Sequence, residues 1–182
     1  MLVGKIRQYY SLRTTITCFS LFVCSGAAAL DHNVSLSYSY PSAVQNIDIE
    51  KVELTYSTSD YSISEYLPIY LYPLLNIGQL QTSGGDGEIL GAGGGVNYYL
   101  NYSLRLFGEG GVYWLSNYEF GEPGVAFKDY GGPIQFYYKV GSSFALSKDI
   151  EVGLAYQHMS NANRYDINPA LNSIQLSFQY SF

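Results

Sequence analysis

The alternation of apolar and polar residues is clearest over the last ten positions of the chain, 173–182. Apolar residues occupy every second position from Ile174 to Phe182, and serine or glutamine fills the positions between them. Successive side chains of a β-strand point to opposite faces, so this segment is predicted to be a strand with one apolar and one polar face. A soluble protein could bury that apolar face in a core. A strand ending on a terminal aromatic residue in a Tyr-rich chain is more typical of the last strand of a transmembrane barrel.

Seven further segments alternate in a similar way, and clusters of turn-forming residues separate them. The predicted strands lie at 33–40, 48–57, within 65–79, and at 88–100, 103–116, 134–146, 149–160 and 173–182. In the third of these, Pro68 and Pro73 blur the period. Eight strands in about 150 residues match the smallest outer-membrane barrels, whose interior is filled by side chains. We therefore predict an all-β fold, an eight-stranded antiparallel transmembrane β-barrel that forms one domain over residues 30–182.

The polar faces of the predicted strands carry charges of both signs, as a packed and paired barrel interior requires. These inward charges are Lys51, Glu53, Arg105, Glu109, Lys139 and Glu151. An open porin channel is therefore not expected. The glycines at positions 91, 93, 94, 95, 108, 110 and 111 are predicted to let the strands curve or lie against bulky neighbours. With both termini in the periplasm, long outer loops are predicted at 80–87 and 117–133.

The start of the chain has the pattern of a secretory signal peptide. Three basic residues precede the apolar run 16–23, and small residues follow it, so cleavage is expected after about Ala28 or Ala29. The run is too short for a membrane-spanning helix, which needs about 20 residues. Both cysteines, Cys18 and Cys24, lie in this segment 1–29, and Val23 is a poor residue before a lipidated cysteine. The mature chain is therefore expected to have no disulfides and no thiol chemistry.

Charge and aromatic content narrow the class of partner. Removal of the signal peptide takes away three of the nine basic residues and none of the fifteen acidic ones, which leaves a net charge of −9. Such a charge argues against a nucleic-acid partner. Twenty tyrosines and nine phenylalanines are a heavy aromatic load for a small soluble domain, but they suit the aromatic girdles of a membrane barrel.

Three polar residues interrupt the apolar faces of the last two predicted strands. His158 and Ser160 continue the outward row of the seventh strand, and Asn172 continues that of the eighth. Since these strands are hairpin partners, the three side chains are predicted to cluster on the lipid-facing surface. Ten residues at roughly 3.3 Å each and a tilt near 40° rise about 25 Å, close to the height of the apolar band. The cluster is then level with lipid head groups and their ester bonds.

The chemistry that this cluster permits is nucleophilic cleavage of an ester. A serine hydroxyl becomes a good nucleophile when a neighbouring base takes its proton, and neutral His158 could serve Ser160 in this way. Along an ideal strand the two positions lie roughly 6–7 Å apart. Contact between the two side chains therefore requires a local twist, or requires the strand to end at this point. Asn161 could stabilise the oxyanion through its side chain or its backbone N–H. The alternative is that His158 and Ser160 merely meet lipid head groups.

Residues 158–172, HMSNANRYDINPALN, resemble the active-site segment of the PagL family of outer-membrane lipid A 3-O-deacylases. The shared pattern is His-x-Ser-Asn-Ala followed by an acid position fourteen residues after the histidine. The segments 106–117 and 134–146 also resemble the family's fifth and sixth strands, and the resemblance extends over about 89–182. It implies an eight-stranded barrel with a lipid-facing Ser-His-Glu site. It also implies that His158 is the general base, Ser160 the nucleophile and Asn161 an oxyanion contributor.

The chain departs from the family pattern at Asn172, where a glutamate is usual, and at Ala170, which replaces a usual glycine. A carboxylate would orient the imidazole and stabilise its cation, whereas an amide accepts the Nδ1–H but stabilises the cation less. Asp166, in the intervening loop, is the alternative acid.

The resemblance implies an outer-membrane serine esterase that removes an acyl chain from lipid A without a metal or cofactor, and the predicted signal peptide would export it. Its partners would be lipid A, or lipopolysaccharide, and the membrane itself. The alternative is a non-catalytic barrel that binds lipopolysaccharide or has a structural role. A third, adhesin-like reading rests only on the length of the loops. The sequence leaves open which acyl position is cut and whether the barrel forms a homodimer.

Overall fold

A computed structural model describes residues 32–58 and 60–182, and the predicted signal peptide at 1–29 lies outside these residues. The described part contains eleven strands. They are β1 Asn33–Pro41, β2 Ile49–Ser57, β3 Tyr61–Ser62, β4 Ile69–Thr82, β5 Gly85–Tyr99, β6 Leu104–Leu115, β7 Glu119–Glu122, β8 Ala126–Asp129, β9 Ile134–Ala145, β10 Ile150–Ser160 and β11 Leu171–Ser181. No helix in the described residues is long and apolar enough to cross a membrane.

Eight of these strands form a closed antiparallel barrel. Around the barrel the order is β1, β2, β4, β5, β6, β9, β10 and β11, and β11 pairs with β1 to close it. Asn33 pairs with Ser181, so the two ends of the described chain meet at one end of the barrel, which we call the terminal end. The predicted eight-stranded antiparallel β-barrel is confirmed.

The alternation read from the sequence follows the two faces of the barrel wall. On β11, Leu176 is 61% exposed, whereas Ser173 and Gln175 are buried in the interior. Large apolar side chains point outward from all eight barrel strands. Leaving one such side chain in water forgoes about 1.5–3 kcal/mol of burial free energy, so a belt of them is typical of a wall that faces lipid.

The interior charges are paired, as the sequence predicted. Glu53 is fully buried and contacts the ammonium groups of Lys51 at 3.2 Å and Lys139 at 2.6 Å. Lys139 also contacts Glu109 at 3.2 Å. Nearer the terminal end, Arg105 and Glu151 form a separate pair at 2.7 Å. These pairs link β2, β6, β9 and β10 across the barrel.

Side chains fill only part of the barrel interior. Toward the end opposite the terminal end, which we call the far end, apolar residues form a core that closes the barrel beneath the loops. Its members include Ile47, Ile49, Leu80, Ile89, Leu115, Phe120, Tyr130, Met159 and Leu171. Toward the terminal end, small inward residues such as Ser35, Ser177 and Gly153 leave a polar cavity of about 480 Å³. The expectation of a filled interior therefore holds for the far half of the barrel, and serine side chains are too short to fill the other half.

The inward glycines make room for tyrosine rings, as predicted. A Cβ atom placed on Gly91 would lie 2.5 Å from the ring of Tyr113, and one on Gly93 would lie 2.9 Å from the hydroxyl of Tyr137. The rings of Tyr113 and Tyr137 stack with centroids 4.0 Å apart. Side chains on β5 would exclude these rings, so the glycines let the strands lie close to them.

The prediction of a long outer loop at 80–87 is wrong. Strands β4 and β5 continue through this segment as a hairpin, with Thr82 opposite Gly85 and Leu80 opposite Gly87. Gly85 has φ of 121°, a conformation open to glycine at little cost. The run of Gly, Asp and Ser suggested a loop, but buried Leu80 belongs to the core and extends the strands beyond the expected turn. The segment 117–133 is an outer connection as predicted, and it contains the β7–β8 hairpin.

Pro73 lies inside β4, where a proline would ordinarily disrupt a ladder. The pairing of β4 with β2 ends at Leu74, and its pairing with β3 begins at Leu71. Pro73 therefore falls in the gap between the two partner segments. The missing N–H has no cost there, so the strand tolerates the proline.

Candidate active site

The hairpin of β10 and β11 brings His158, Ser160 and Asn172 together at the far end of the barrel wall. His158 lies directly opposite Asn172 in the antiparallel register. Directly paired residues on one face of such a hairpin have Cβ atoms about 4.5–5.5 Å apart, within reach of side-chain contact. All three side chains are partly exposed and share the outward face with Leu154 and Ile174.

The three side chains form a hydrogen-bonded line. Nδ1 of His158 lies 2.7 Å from Oδ1 of Asn172, and Nε2 of His158 lies 3.1 Å from Oγ of Ser160. His158 and Ser160 are two positions apart on β10, and their side chains are in hydrogen-bond contact although an ideal strand would hold them further apart. β10 ends at Ser160, and the end of the strand is one of the two conditions under which we expected this contact to form.

With its carbonyl oxygen turned to Nδ1, the Asn172 amide favours one tautomer of His158. The carbonyl oxygen of Asn172 only accepts hydrogen bonds, so Nδ1 must carry the proton. The lone pair of Nε2 is then free to accept the hydroxyl proton of Ser160. This is the tautomer that a general base requires. The opposite orientation of the amide would present an NH₂ group to Nδ1 and select the wrong tautomer, an ambiguity that a carboxylate does not have.

Asp166, the alternative acid, is exposed in the loop between β10 and β11. Nδ1 of His158, the atom that such an acid would contact, is already bonded to Asn172. None of the ion pairs in the described residues involves His158. The orienting partner in this structure is therefore the neutral amide.

Tyr138 is a neighbour of the cluster that sequence reasoning did not single out. It lies on β9 directly opposite His158, on the side away from Asn172. Its ring stacks on the imidazole with centroids 5.1 Å apart and an interplanar angle of 23°. The alternation within the predicted strand 134–146 places Tyr138 on the outward face, and Tyr138 is exposed in the structure. The register between β9 and β10, which the sequence does not reveal, decides that it meets His158.

Asn161 follows Ser160 and points into the barrel, where its side chain is fully buried. Its side-chain amide donates to the carbonyl oxygens of Tyr130 at 3.0 Å and Ile167 at 2.5 Å. This corrects one of the two sequence-based options, because the side chain faces away from the hydroxyl of Ser160. The backbone N–H remains as the candidate oxyanion donor, and it donates to Oδ1 of Asn168 at 3.0 Å.

The chain turns sharply just beyond the serine. Ala162 and Asn163 have φ of 54° and 62°, so two consecutive residues other than glycine adopt the left-handed conformation. Such conformations cost about 1–2 kcal/mol per residue and persist where surrounding contacts impose them. Here the hydrogen bond from Arg164 N to Asn161 O, at 3.0 Å, closes the turn.

The loop between β8 and β9 supports this turn from inside the barrel. Gln135 is fully buried and donates to the carbonyl oxygens of Tyr130 at 3.0 Å and Gly132 at 2.7 Å. The Tyr130 carbonyl therefore accepts from both Gln135 and Asn161. Burial raises the pKa of the Tyr130 hydroxyl well above its usual value, so the residue stays neutral. No group of three or more His, Cys, Asp or Glu side chains suited to a metal ion occurs within 32–58 and 60–182.

Comparison with known sequences points to one family. A family model described as "Lipid A 3-O-deacylase (PagL)" matches residues 42–181, which include all the cluster residues. A curated relative, the lipid A deacylase PagL of Bordetella bronchiseptica, is 36% identical over 63 residues. That match spans 35% of this chain and 35% of the relative's length.

Comparison with solved structures supports the fold. The crystal structure of the outer membrane enzyme PagL matches with a TM-score of 0.62 and 20% identity, over 81% of this chain and 98% of that one. A de novo designed transmembrane β-barrel matches with a TM-score of 0.54 and 14% identity, over 84% of this chain and 95% of the design. The Yersinia pestis outer membrane protein Ail matches with a TM-score of 0.52 and 13% identity, over 85% of this chain and all of that one. At these identities the matches establish the barrel architecture alone.

Proposed function

Since the chain belongs to the lipid A 3-O-deacylase (PagL) family, we propose that it is a serine esterase of the Gram-negative outer membrane that removes an ester-linked acyl chain from lipid A. The observation that carries this proposal is the line of hydrogen bonds from Ser160 through His158 to Asn172 on the outward face of the barrel. A site on that face is open to an ester that stays embedded in the bilayer. The signal peptide predicted at 1–29 and the belt of outward apolar residues fit the same location.

In the first step, Oγ of Ser160 attacks the carbonyl carbon of the ester. A bond forms between Oγ and this carbon, the hydroxyl proton passes to Nε2 of His158, and the carbonyl oxygen becomes an oxyanion. The Asn172 amide oxygen accepts the Nδ1–H of the resulting imidazolium. We assign stabilisation of the oxyanion to the backbone N–H of Asn161, whose present acceptor, the side chain of Asn168, would give way.

In the second step the oxyanion re-forms the carbonyl, and the bond to the sugar oxygen breaks. That oxygen takes the proton from Nε2 of His158 and leaves as a hydroxyl group, while the acyl chain stays on Ser160. A water molecule then attacks the acyl-enzyme with His158 again as the base. The free fatty acid leaves and the hydroxyl group of Ser160 is restored. The sequence of steps is balanced without a metal or a redox cofactor.

One feature favours a second candidate function. Asn172 replaces the acid of the family pattern, and exchange of the acid for an amide in one well-studied serine triad lowered turnover by about 10⁴. A chain with this substitution could serve as a non-catalytic barrel that binds lipopolysaccharide at the same surface.

Mass spectrometry of lipid A separates the two functions. Lipid A is extracted from outer membranes that contain the wild type, Ser160→Ala or Ser142→Ala. Ser142 is a suitable control because it is a partly exposed serine that lies opposite Leu154, away from His158. We expect loss of one acyl chain with the wild type and Ser142→Ala, and intact lipid A with Ser160→Ala. Intact lipid A in all three samples, with each protein recovered from the outer-membrane fraction, would favour the non-catalytic barrel.

A further inference from the structure

His158 is held between two strands. On one side, Asn172 of β11 accepts a hydrogen bond from the imidazole. On the other side, the ring of Tyr138 of β9 lies against the imidazole at 5.1 Å between centroids, with the planes 23° apart. The face of the tyrosine ring is therefore turned toward the imidazole rather than its edge.

The proposed reaction makes His158 a cation in the transition state, yet no carboxylate is paired with it. No ion pair in the described part of the chain includes His158, and Asn172 offers only the dipole of an amide. Along the outward face, the titratable residues that the register places beside His158 and Asn172 are Tyr138 on β9, Tyr156 on β10 and Tyr40 on β1. All three are phenols, and none of them is a carboxylate.

We propose that Tyr138 is a positioning residue that holds the His158 ring in place and stabilises its cationic form through the face of the phenol ring. This inference rests on the proposed function, in which His158 is the general base. The quadrupole of an aromatic ring presents negative potential at its face, and its attraction for a cation increases where water is scarce. The wall of a barrel facing lipid is such a place, so the ring contributes part of what a carboxylate would provide.

The role belongs to the ring and not to its hydroxyl group, which makes the conservative variant informative. Tyr138→Phe keeps the face of the aromatic ring. Tyr138→Leu removes the ring but keeps an apolar side chain at this position. Phe144→Leu is the matched control, because Phe144 also points outward from β9 but lies opposite Val152, away from His158. The difference in mobility between boiled and unboiled gel samples verifies that each variant is folded.

The decisive measurement is the protonation of the imidazole, followed by NMR in the purified full-length barrel. A His32→Gln background removes the signal of the other histidine. In Tyr138→Leu we expect the titration midpoint to move to lower pH by about 0.5–1.5 units, the size of a cation–π contribution. Tyr138→Phe and Phe144→Leu should keep the midpoint of the parent protein. An unchanged midpoint in Tyr138→Leu, or an equal shift in Tyr138→Phe, would overturn the proposal.

Kinetics provides a second readout. We expect kcat/KM for ester hydrolysis to fall about threefold to tenfold in Tyr138→Leu, with the acid limb of the pH–rate profile moved to lower pH. A residue that only packs would lower the rate without moving this limb. Combination with Asn172→Glu should reduce the effect of Tyr138→Leu, because a carboxylate then stabilises the cation. Since the NMR titration needs no turnover, failure of the esterase proposal and failure of the Tyr138 proposal give different results.

Discussion

The side chain at position 172 determines how strongly the histidine can act. Its amide oxygen lies 2.7 Å from Nδ1 of His158, so the geometry of an orienting partner is present. The charge of such a partner is absent, and an amide can also rotate to present its NH₂ group. Orientation and charge, which one carboxylate would provide together, are therefore separated in this chain.

Restoring the carboxylate should increase activity. In Asn172→Glu we expect the rate of ester hydrolysis to rise severalfold or more, because the carboxylate fixes the tautomer of His158 and stabilises its cation. Initial rates on purified lipid A in detergent measure the effect. Asn172→Gln is the matched control, since it adds the same methylene without the charge. A rate no higher in Asn172→Glu than in Asn172→Gln would mean that the charge at this position does not limit the reaction.

At the scale of elements, the paired strands β5 and β6 carry glycines at inward positions that leave no room for a side chain. A Cβ atom on Gly111 would lie 2.8 Å from the hydroxyl of Tyr137 and 2.9 Å from Cα of Gly93. A Cβ atom on the adjacent Gly110, which points outward, would approach nothing more closely than 3.6 Å. The two neighbouring glycines therefore have different roles.

This difference predicts the stability of two single substitutions. Gly111→Ala should lower the free energy of unfolding by about 1–3 kcal/mol, because the strand and the Tyr137 ring must move apart. Gly110→Ala should change it by less than about 0.5 kcal/mol, since an added methyl group at an uncrowded outward position resembles a neutral surface substitution. Urea titration of the barrel, followed by tryptophan fluorescence, measures both. Equal midpoints for the two variants would contradict this account of the interior.

For the whole molecule, the buried charges bind the barrel wall together across its interior. Glu53 contacts both Lys51 and Lys139, and all three side chains are almost completely buried. Removal of one partner of a buried pair leaves an uncompensated charge, which costs much more than an exposed pair contributes.

Neutralisation of Glu53 should therefore destabilise the barrel as a whole. We expect Glu53→Gln to lower the free energy of unfolding by about 3–5 kcal/mol, because two ammonium groups lose their shared carboxylate. Asp149→Asn is the control, since Asp149 pairs with the exposed Lys148 at 3.4 Å and should contribute less than about 1 kcal/mol. Heating series on unboiled gel samples, with urea titration, compare the two. A Glu53→Gln barrel as stable as Asp149→Asn would refute this role.

The alternation along the chain predicted the eight barrel strands and their two faces, and it singled out the candidate site residues. A period of two, repeated from 33–40 to 173–182, is a local property, because adjacent side chains of a strand point to opposite faces. That property assigned His158, Ser160 and Asn172 to one surface and the six interior charges to the other. The prediction of a loop at 80–87 was wrong, because it rested on composition. The hairpin of β4 and β5 extends through this segment, where Leu80 is buried in the core.

Features that depend on strand register and on contacts between distant segments follow from the folded barrel and could not be predicted from the sequence. The pairing of β9 with β10 places Tyr138 on His158, and no periodicity within either strand contains that information. The turn after Ser160 directs the side chain of Asn161 inward to the carbonyl of Tyr130, thirty-one residues away in sequence. Local alternation fixes the face on which a side chain lies. Its neighbours on that face are chosen when strands align, because hydrogen bonding and packing of the whole barrel set the register.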